Sequence, residues 1–163
     1  MAQDKTDKTN VMRILDQKKI PYAPHYYAAP DGAVDGAPVA SLTGRDPAAV
    51  FKTLVTRGAS GSYYVFVVPV LRTLDLRAAA RAAGEKSVEM IRQAELLPLT
   101  GYVQGGCSPV GMKKQFKTFL DESAQPLPAM LVSAGRIGAQ VELAPGDLIS
   151  LTHGRFAPIS KES

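Results

Sequence analysis

Apolar and polar positions along this chain alternate at two periods. Val11, Ile14 and Leu15 recur at helical spacing behind Thr9, a residue suited to cap a helix. Lys18 and Lys19 fall in the predicted last turn and Pro21 marks the stop. Tyr22 to Tyr27 then reads as an extended, aromatic-rich segment. Phe51 to Val55 alternates apolar and polar residues, Arg57 to Gly61 supplies a turn, and Tyr63 to Val70 is strongly β-prone. Together they predict a hairpin. A second hairpin is expected from Ala129–Ser133 and Gln140–Leu143, with its turn over Ser133 to Gly138.

Helical patterns fall between these strands. Asp75 caps an alanine-rich helix that runs to Ala83 and stops at Gly84. Val88 to Leu97 predicts a short helical or mixed piece broken before Pro98. Lys113 to Leu120 buries Phe116, Phe119 and Leu120 in a helix or a strand. Gln125 to Pro128 is a turn, Pro145-Gly146-Asp147 opens a last short helix stopped by Gly154, and Phe156 to Ile159 adds an edge strand. Ala28 to Ala37 is a breaker-rich loop, followed by a short helix around Val39 to Thr43 and a helix start at Asp46-Pro47. Strands interspersed with helices, and joined by at least two hairpins, predict an α+β fold. The expected form is a single domain over residues 9–160, after a disordered leader at 1–8, with a mixed, mainly antiparallel central sheet flanked by short helices.

Composition narrows the setting. The chain has 163 residues, enough for a substantial core, and one cysteine, too few for an internal disulfide or a multi-cysteine zinc site. It shows no apolar run of membrane-spanning length and no signal-peptide core, so no membrane association and a cytoplasmic location are expected. The net charge of +4 is spread along the chain, which permits a polyanionic partner without diagnosing one.

Candidate chemistry centres on Gly101 to Lys114, where a double glycine, Cys-Ser-Pro and a lysine pair follow one another. Glycines let the backbone take positive φ and come close to a ligand, and successive N–H groups of such a loop can converge on an anion or a carbonyl oxygen. An ordinary tight turn accounts for the same residues. Lys52, in an apolar strand, reads equally as a gatekeeper on an edge strand or as a cation at a pocket mouth. His25 has no second histidine nearby and reads as a hydrogen-bonded or surface residue. Cys107 reads as a small apolar filler rather than a nucleophile. Phosphate-loop, dinucleotide-binding and nucleophile-elbow motifs are absent. An enzyme built from these parts works by positioning and backbone electrostatics, and neither cofactor nor metal is expected.

Several segments in order resemble the YbaK/EbsC family of aminoacyl-tRNA deacylases, which includes the editing domain of bacterial prolyl-tRNA synthetases. They are Phe51-Lys52-Thr53-Leu54, Val88-Glu89-Met90, Thr100-Gly101-Tyr102, Gly105 to Gly111 with Lys113-Lys114, Val132 to Gly135 and Val141-Glu142-Leu143. The resemblance implies hydrolysis of the ester linking an amino acid to the 3′ end of a mischarged tRNA. The Lys-Thr-Leu form looks most like the branch acting on cysteinyl-tRNA(Pro). It implies that Lys52 holds the terminal phosphate or adenosine, that Gly105 and Gly106 offer N–H groups to the ester carbonyl, and that Tyr27, Thr53, Ser108 and Ser133 line the pocket. It also makes prolyl-tRNA synthetase a candidate partner. Three positions depart from the family pattern: Asp35 to Pro38 replaces an aromatic-Gly-Asp-Glu run, Gln140 stands where close relatives often have an acid, and Cys107 replaces an aliphatic residue. Clearance of alanine or another small residue, and a non-catalytic tRNA- or synthetase-binding module, remain as alternatives.

Overall fold

The run Tyr63 to Pro69 is apolar or aromatic at every position, so it cannot leave either side in water, and it becomes the centre of a sheet. The computed structural model describes residues 8–27 and 46–163. Its elements, in chain order, are α1 (Asn10–Gln17), β1 (Ala23–Tyr26), a 3₁₀ turn (Pro47–Ala49), β2 (Phe51–Gly58), β3 (Tyr63–Pro69), β4 (Arg72–Leu74), α2 (Leu76–Ala83), β5 (Val88–Met90) and α3 (Gln93–Thr100). After the glycine loop come β6 (Lys117–Asp121), β7 (Met130–Arg136), β8 (Ala139–Leu143), α4 (Pro145–Thr152), β9 (Arg155–Ala157) and β10 (Ser160–Glu162). The leader, the Ala28 to Ala37 loop and the helix expected around Val39 to Thr43 lie outside the described residues, apart from Lys8.

The strands form a five-stranded sheet in the order β5-β2-β3-β6-β9, a three-stranded sheet β1-β8-β7 and a two-stranded ribbon β10-β4. Both predicted hairpins form, with Lys52 opposite Val68 in the first and Ser133 opposite Gln140 in the second. The fold is α+β with mixed pairing: β6 runs parallel to β3 on one side and to β9 on the other. The expected single central sheet is divided between a five-stranded and a three-stranded piece. A single parallel bridge, Val50 to Leu131, joins them at the start of β2.

One face of each large sheet packs on a shared core. Phe51, Val55, Val65, Val67 and Leu120 come from the five-stranded sheet, and Met130, Val132, Val141 and Leu143 from the three-stranded one. Val11, Met12 and Leu15 of α1 complete it. The opposite face of the five-stranded sheet carries a second core, in which Tyr64, Phe66, Val68 and Phe119 meet Ala79 and Ala80 of α2. The small alanines let the helix lie close. Asp75 caps α2 by accepting the Arg77 and Ala78 N–H groups, and Gly84 ends it with φ of 73°.

Four local expectations need correction. Lys18 is the C-cap of α1 and Lys19 lies beyond it with φ of 59°, so neither is in the last turn. Val88 to Leu97 divides into β5 and α3, and α3 continues through Pro98. A proline there removes one intrahelical bond. Glu95 accepts the Arg92 N–H at 2.9 Å, while the Thr100 hydroxyl and the Gly101 N–H donate to the Leu96 and Leu97 carbonyls, holding both ends. His153, with φ of 55°, ends α4 one residue before Gly154. The edge strand is β9, one residue earlier than expected at its start, and β10 leaves the sheet to pair with β4.

Candidate functional site

Strand alternation and the bridge at the sheet junction together make a row of polar side chains. In β8, Ala139, Val141 and Leu143 enter the shared core, so Gln140 and Glu142 project from the other face. Across the ladder Gln140 faces Ser133 on β7 and His25 on β1. Val50 and Leu131, paired through the bridge, pack together in a small cluster with Tyr27 against it. Lys52 and Ser133 each lie two residues further on, along strands of the same direction. The row therefore reads Lys52, Ser133, Gln140, His25 across four strands. Tyr27 beside Val50 and Leu131 closes one end.

The row is electrostatically mixed. His25 Nε2 lies 2.8 Å from Glu142 Oε1, and both side chains are mostly buried. The Ser133 hydroxyl oxygen accepts the Gly135 N–H at 3.1 Å, which leaves its own proton to donate. Gln140 is 6% exposed, and its Oε1 has no hydrogen-bond partner among the described residues. A buried amide oxygen without a donor is costly, so it calls for a donor from a ligand or a water. Arg136 stands over the Tyr26 ring, 6.0 Å from its centroid.

The glycine loop is built against the second hairpin. Gly101 ends α3 with φ of 88°, and the buried Tyr102 hydroxyl donates to the Val110 carbonyl at 2.5 Å. The Gly106 N–H donates to the Val103 carbonyl at 3.0 Å, with Gly105 at φ of 88° in the third position of that turn. This is a turn that demands glycine there, and it leaves the Gly105 N–H outside the turn's own bond. A Cβ on Gly106 would sit 3.0 Å from the Arg136 and Ile137 backbone, so the loop and the hairpin turn touch through main chain. The same turn accepts the Tyr27 N–H through Gly138 O at 3.0 Å. Gly106 thus adjoins the hairpin turn that also holds the Tyr27 backbone.

The structure separates the sequence-derived candidates. Tyr27, Lys52 and Ser133 gather round Val50 and Leu131, and the double glycine adjoins them through the hairpin turn. Thr53 follows Lys52 and so projects from the opposite face of β2, where its hydroxyl is buried without a partner among the described residues. Ser108 is fully buried and accepts the Val110 N–H at 3.3 Å, holding its own loop together. Cys107 is buried in the shared core, and burial pushes its thiol up to about 12, far from a neutral-pH nucleophile. The same cause, burial, raises the Tyr102 phenol to about 12. Gln140 and the His25–Glu142 pair were not predicted as site residues. The alternation in Ala139–Leu143 marks Gln140 and Glu142 as one polar face, but their partner His25 lies on a strand near the other end of the chain. Among the described residues no group of three His, Cys, Asp or Glu side chains gathers as a metal site requires.

The site thus gathers an ammonium group, a hydroxyl, an orphan amide oxygen and a glycine turn on an α+β scaffold. Comparison with known proteins gives the family. The profile of the aminoacyl-tRNA editing domain matches residues 33–151. An Enterococcus faecalis protein named "Putative Cys-tRNA(Pro)/Cys-tRNA(Cys) deacylase EbsC" is 47% identical over 161 residues, 98% of each chain. Two crystal structures share the fold. One, described as a "putative trans-editing enzyme for prolyl tRNA synthetase", has a TM-score of 0.79 at 23% identity, covering 95% of this chain and 99% of the other. The other, "hypothetical protein APE2540", has a TM-score of 0.85 at 24% identity, covering 94% and 100%. The chain belongs to the aminoacyl-tRNA editing family, within its YbaK/EbsC branch of deacylases. No helix among the described residues is long and apolar enough to cross a membrane.

Proposed function

We propose that this protein hydrolyses the aminoacyl ester of mischarged tRNA in trans, with cysteinyl-tRNA(Pro) as its substrate. The observation that carries the substrate is the 47% identity, over nearly the whole of both chains, to a protein named for that activity. The geometry supports a division of roles among the site residues. Lys52, at the sheet junction, neutralises the phosphate of the terminal adenosine. The Gly105 N–H, outside its turn's hydrogen bond, polarises the ester carbonyl, while the Gly106 N–H fixes that turn through Val103. Preorganised main-chain donors of this kind act without reorganising during the reaction.

Tyr27 and Ser133 line the pocket beside Lys52, and the Gln140 amide oxygen accepts from the substrate's ammonium group. Thr53 and Ser108 support the walls from behind. No protein nucleophile is required. The thiol of the esterified cysteine attacks its own carbonyl, forming a C–S bond and breaking the bond to the ribose oxygen, which takes up the thiol proton. Water then opens the resulting thiolactone to free cysteine. Editing of this kind is needed because a synthetase pocket cannot strongly reject a similar or smaller side chain. The reading places a single editing domain over residues 9–160, in the cytoplasm, working alongside prolyl-tRNA synthetase.

The test is a panel of tRNA(Pro) charged with cysteine, alanine or serine. Purified protein is expected to release cysteine and to leave the thiol-free esters largely intact. Equal rates on the alanyl ester would overturn the thiol-assisted route and the choice of amino acid. Unchanged ester half-lives across the panel would overturn the activity itself.

A further inference from the structure

The face of the five-stranded sheet that carries Lys52 leads to a second cationic site. Register places Lys52 beside Val68, Phe66 beside Phe119, Tyr64 beside Lys117, and Phe119 beside Arg155, so these side chains share one face. At its far end Lys117, His153 and Arg155 surround a hollow of about 110 Å³, with Thr118, Phe119 and Ala82 as the rest of its lining. The hollow exists because α2 meets the sheet through alanines and stops at Gly84, leaving the end of the β6–β9 pair uncovered. Gly154 draws the cations together. A Cβ there would lie 2.9 Å from the Thr118 carbonyl oxygen, so only glycine lets the chain from His153 to Arg155 press against β6.

The charges in the hollow are of one sign. No carboxylate lines it, and none of Lys117, His153 and Arg155 pairs with one among the described residues. The two acids at the ends of α2 are already committed, Asp75 to its cap and Glu85 to the Ser60 and Tyr64 hydroxyls. Between Lys52 and the hollow lies α2 itself, with Arg77 and Arg81 exposed one turn apart on its outer side. Strand rise and strand spacing put Lys52 roughly 16–20 Å from the hollow. Cations strung over such a distance match a chain of phosphates better than one small anion.

We propose that this hollow and the outer side of α2 bind the ribose–phosphate backbone of the tRNA strand that leads to the 3′ end held at Lys52. The proposal rests on the reading of the Lys52 site given above. Contacts of this kind position the substrate and carry no sequence information. They would let one protein hold tRNA while the terminal ester alone is inspected.

The experiment uses the full chain and uncharged tRNA(Pro), with the dissociation constant measured over a salt series for wild type and for K117A/R155A. Both positions are exposed, so the variant is expected to fold, and its melting temperature checks this. Binding should weaken about tenfold near 0.1 M salt, and the slope of log K against log salt should shrink by about 1 to 2, since each phosphate contact contributes about 0.7 to 0.9. R77A/R81A should show an intermediate loss. On the charged tRNA, KM should rise with kcat unchanged, whereas a cysteinyl ester of adenosine, too short to reach the hollow, should be hydrolysed at the wild-type rate. An unchanged salt slope, or an equal loss on the adenosine ester, overturns the proposal. So does inorganic phosphate that binds wild type and not the variant while tRNA affinity stays the same, which makes the hollow a small-anion site. Because binding is read with uncharged tRNA, variant-sensitive binding without any deacylation would overturn the function and leave this surface standing.

Discussion

The two large sheets share one core yet treat their second faces oppositely. The five-stranded sheet turns Tyr64, Phe66, Val68 and Phe119 into another apolar layer beneath α2, and its outer surface is helix. The three-stranded sheet turns His25, Ser133, Gln140 and Glu142 the same way, and packs no comparable apolar layer from them among the described residues. Apolar burial of both faces gives a rigid platform and no chemistry. A sheet with one polar face gives up part of that stabilisation, roughly 25 cal/mol for each Å² of apolar surface it does not bury, and can hold reactive groups at fixed spacing. Lys52 stands at the seam, on the rigid sheet but level with the polar row.

The largest expected effect tests that seam. Lys52→Ala should lower deacylation of cysteinyl-tRNA(Pro) at least about a hundredfold with little change in melting temperature, the scale seen when a preorganised charge-stabilising group is lost. Near-wild-type turnover would move the chemistry off the junction. Gly106→Ala comes next, because its methyl meets the Arg136–Ile137 backbone at 3.0 Å. A loss of about 1–3 kcal/mol in urea unfolding, with activity down about tenfold, is expected from forcing the loop off the hairpin. Gly146→Ala is its control: nothing lies within 4 Å of the new Cβ in α4, so stability should hold or rise slightly and turnover should not change.

Gln140→Leu sharpens the contrast between the polar and apolar faces. Removing a buried amide oxygen that lacks a donor should leave stability level or slightly higher, while deacylation falls severalfold. A variant both destabilised and fully active would show that Gln140 serves the fold alone. Cys107→Ala should have the smallest effect on activity, within about twofold. It should still alter alkaline behaviour, because the folded thiol, at about 12, lies above its ordinary value of 9.0. Both states are protonated below pH 9, so that contribution is intact there. Between pH 9 and 12 the unfolded chain ionises first and stability falls. Tyr102, raised from 10.0 to about 12, adds to the same decline. The Cys107→Ala protein should therefore lose less stability across that range in pH-dependent unfolding.

Elements whose signals lie within a few residues were legible in the sequence. Asp75 and Gly84 bound α2, and both hairpins followed from alternation around glycine-bearing turns. Pro98 misled because a proline costs a short helix only one bond when both ends are held from elsewhere. The parallel pairings of β6 could not be read locally, since a parallel neighbour leaves no turn to mark it. For the site, the resemblance named Lys52, Ser133 and the double glycine, and the structure sets Lys52 level with Ser133 through the Val50–Leu131 bridge. Gln140 was visible only as a departure from the family pattern and as a polar position in an alternating strand. Its burial and missing partner depend on strands that sequence order does not bring together. The turn bond of Gly106 was likewise hidden, and it engages one N–H of two adjacent glycines and not the other.

The Val50–Leu131 bridge also has a kinetic meaning. It joins segments far apart in the chain, and contacts of such long sequence separation are slow to form during folding. Lys52 joins the polar row only when that one connection is made. A molecule that has completed either hairpin alone has not yet set Lys52 beside Ser133. On the proposed function, an unfinished chain would lack the junction at which the ester is held.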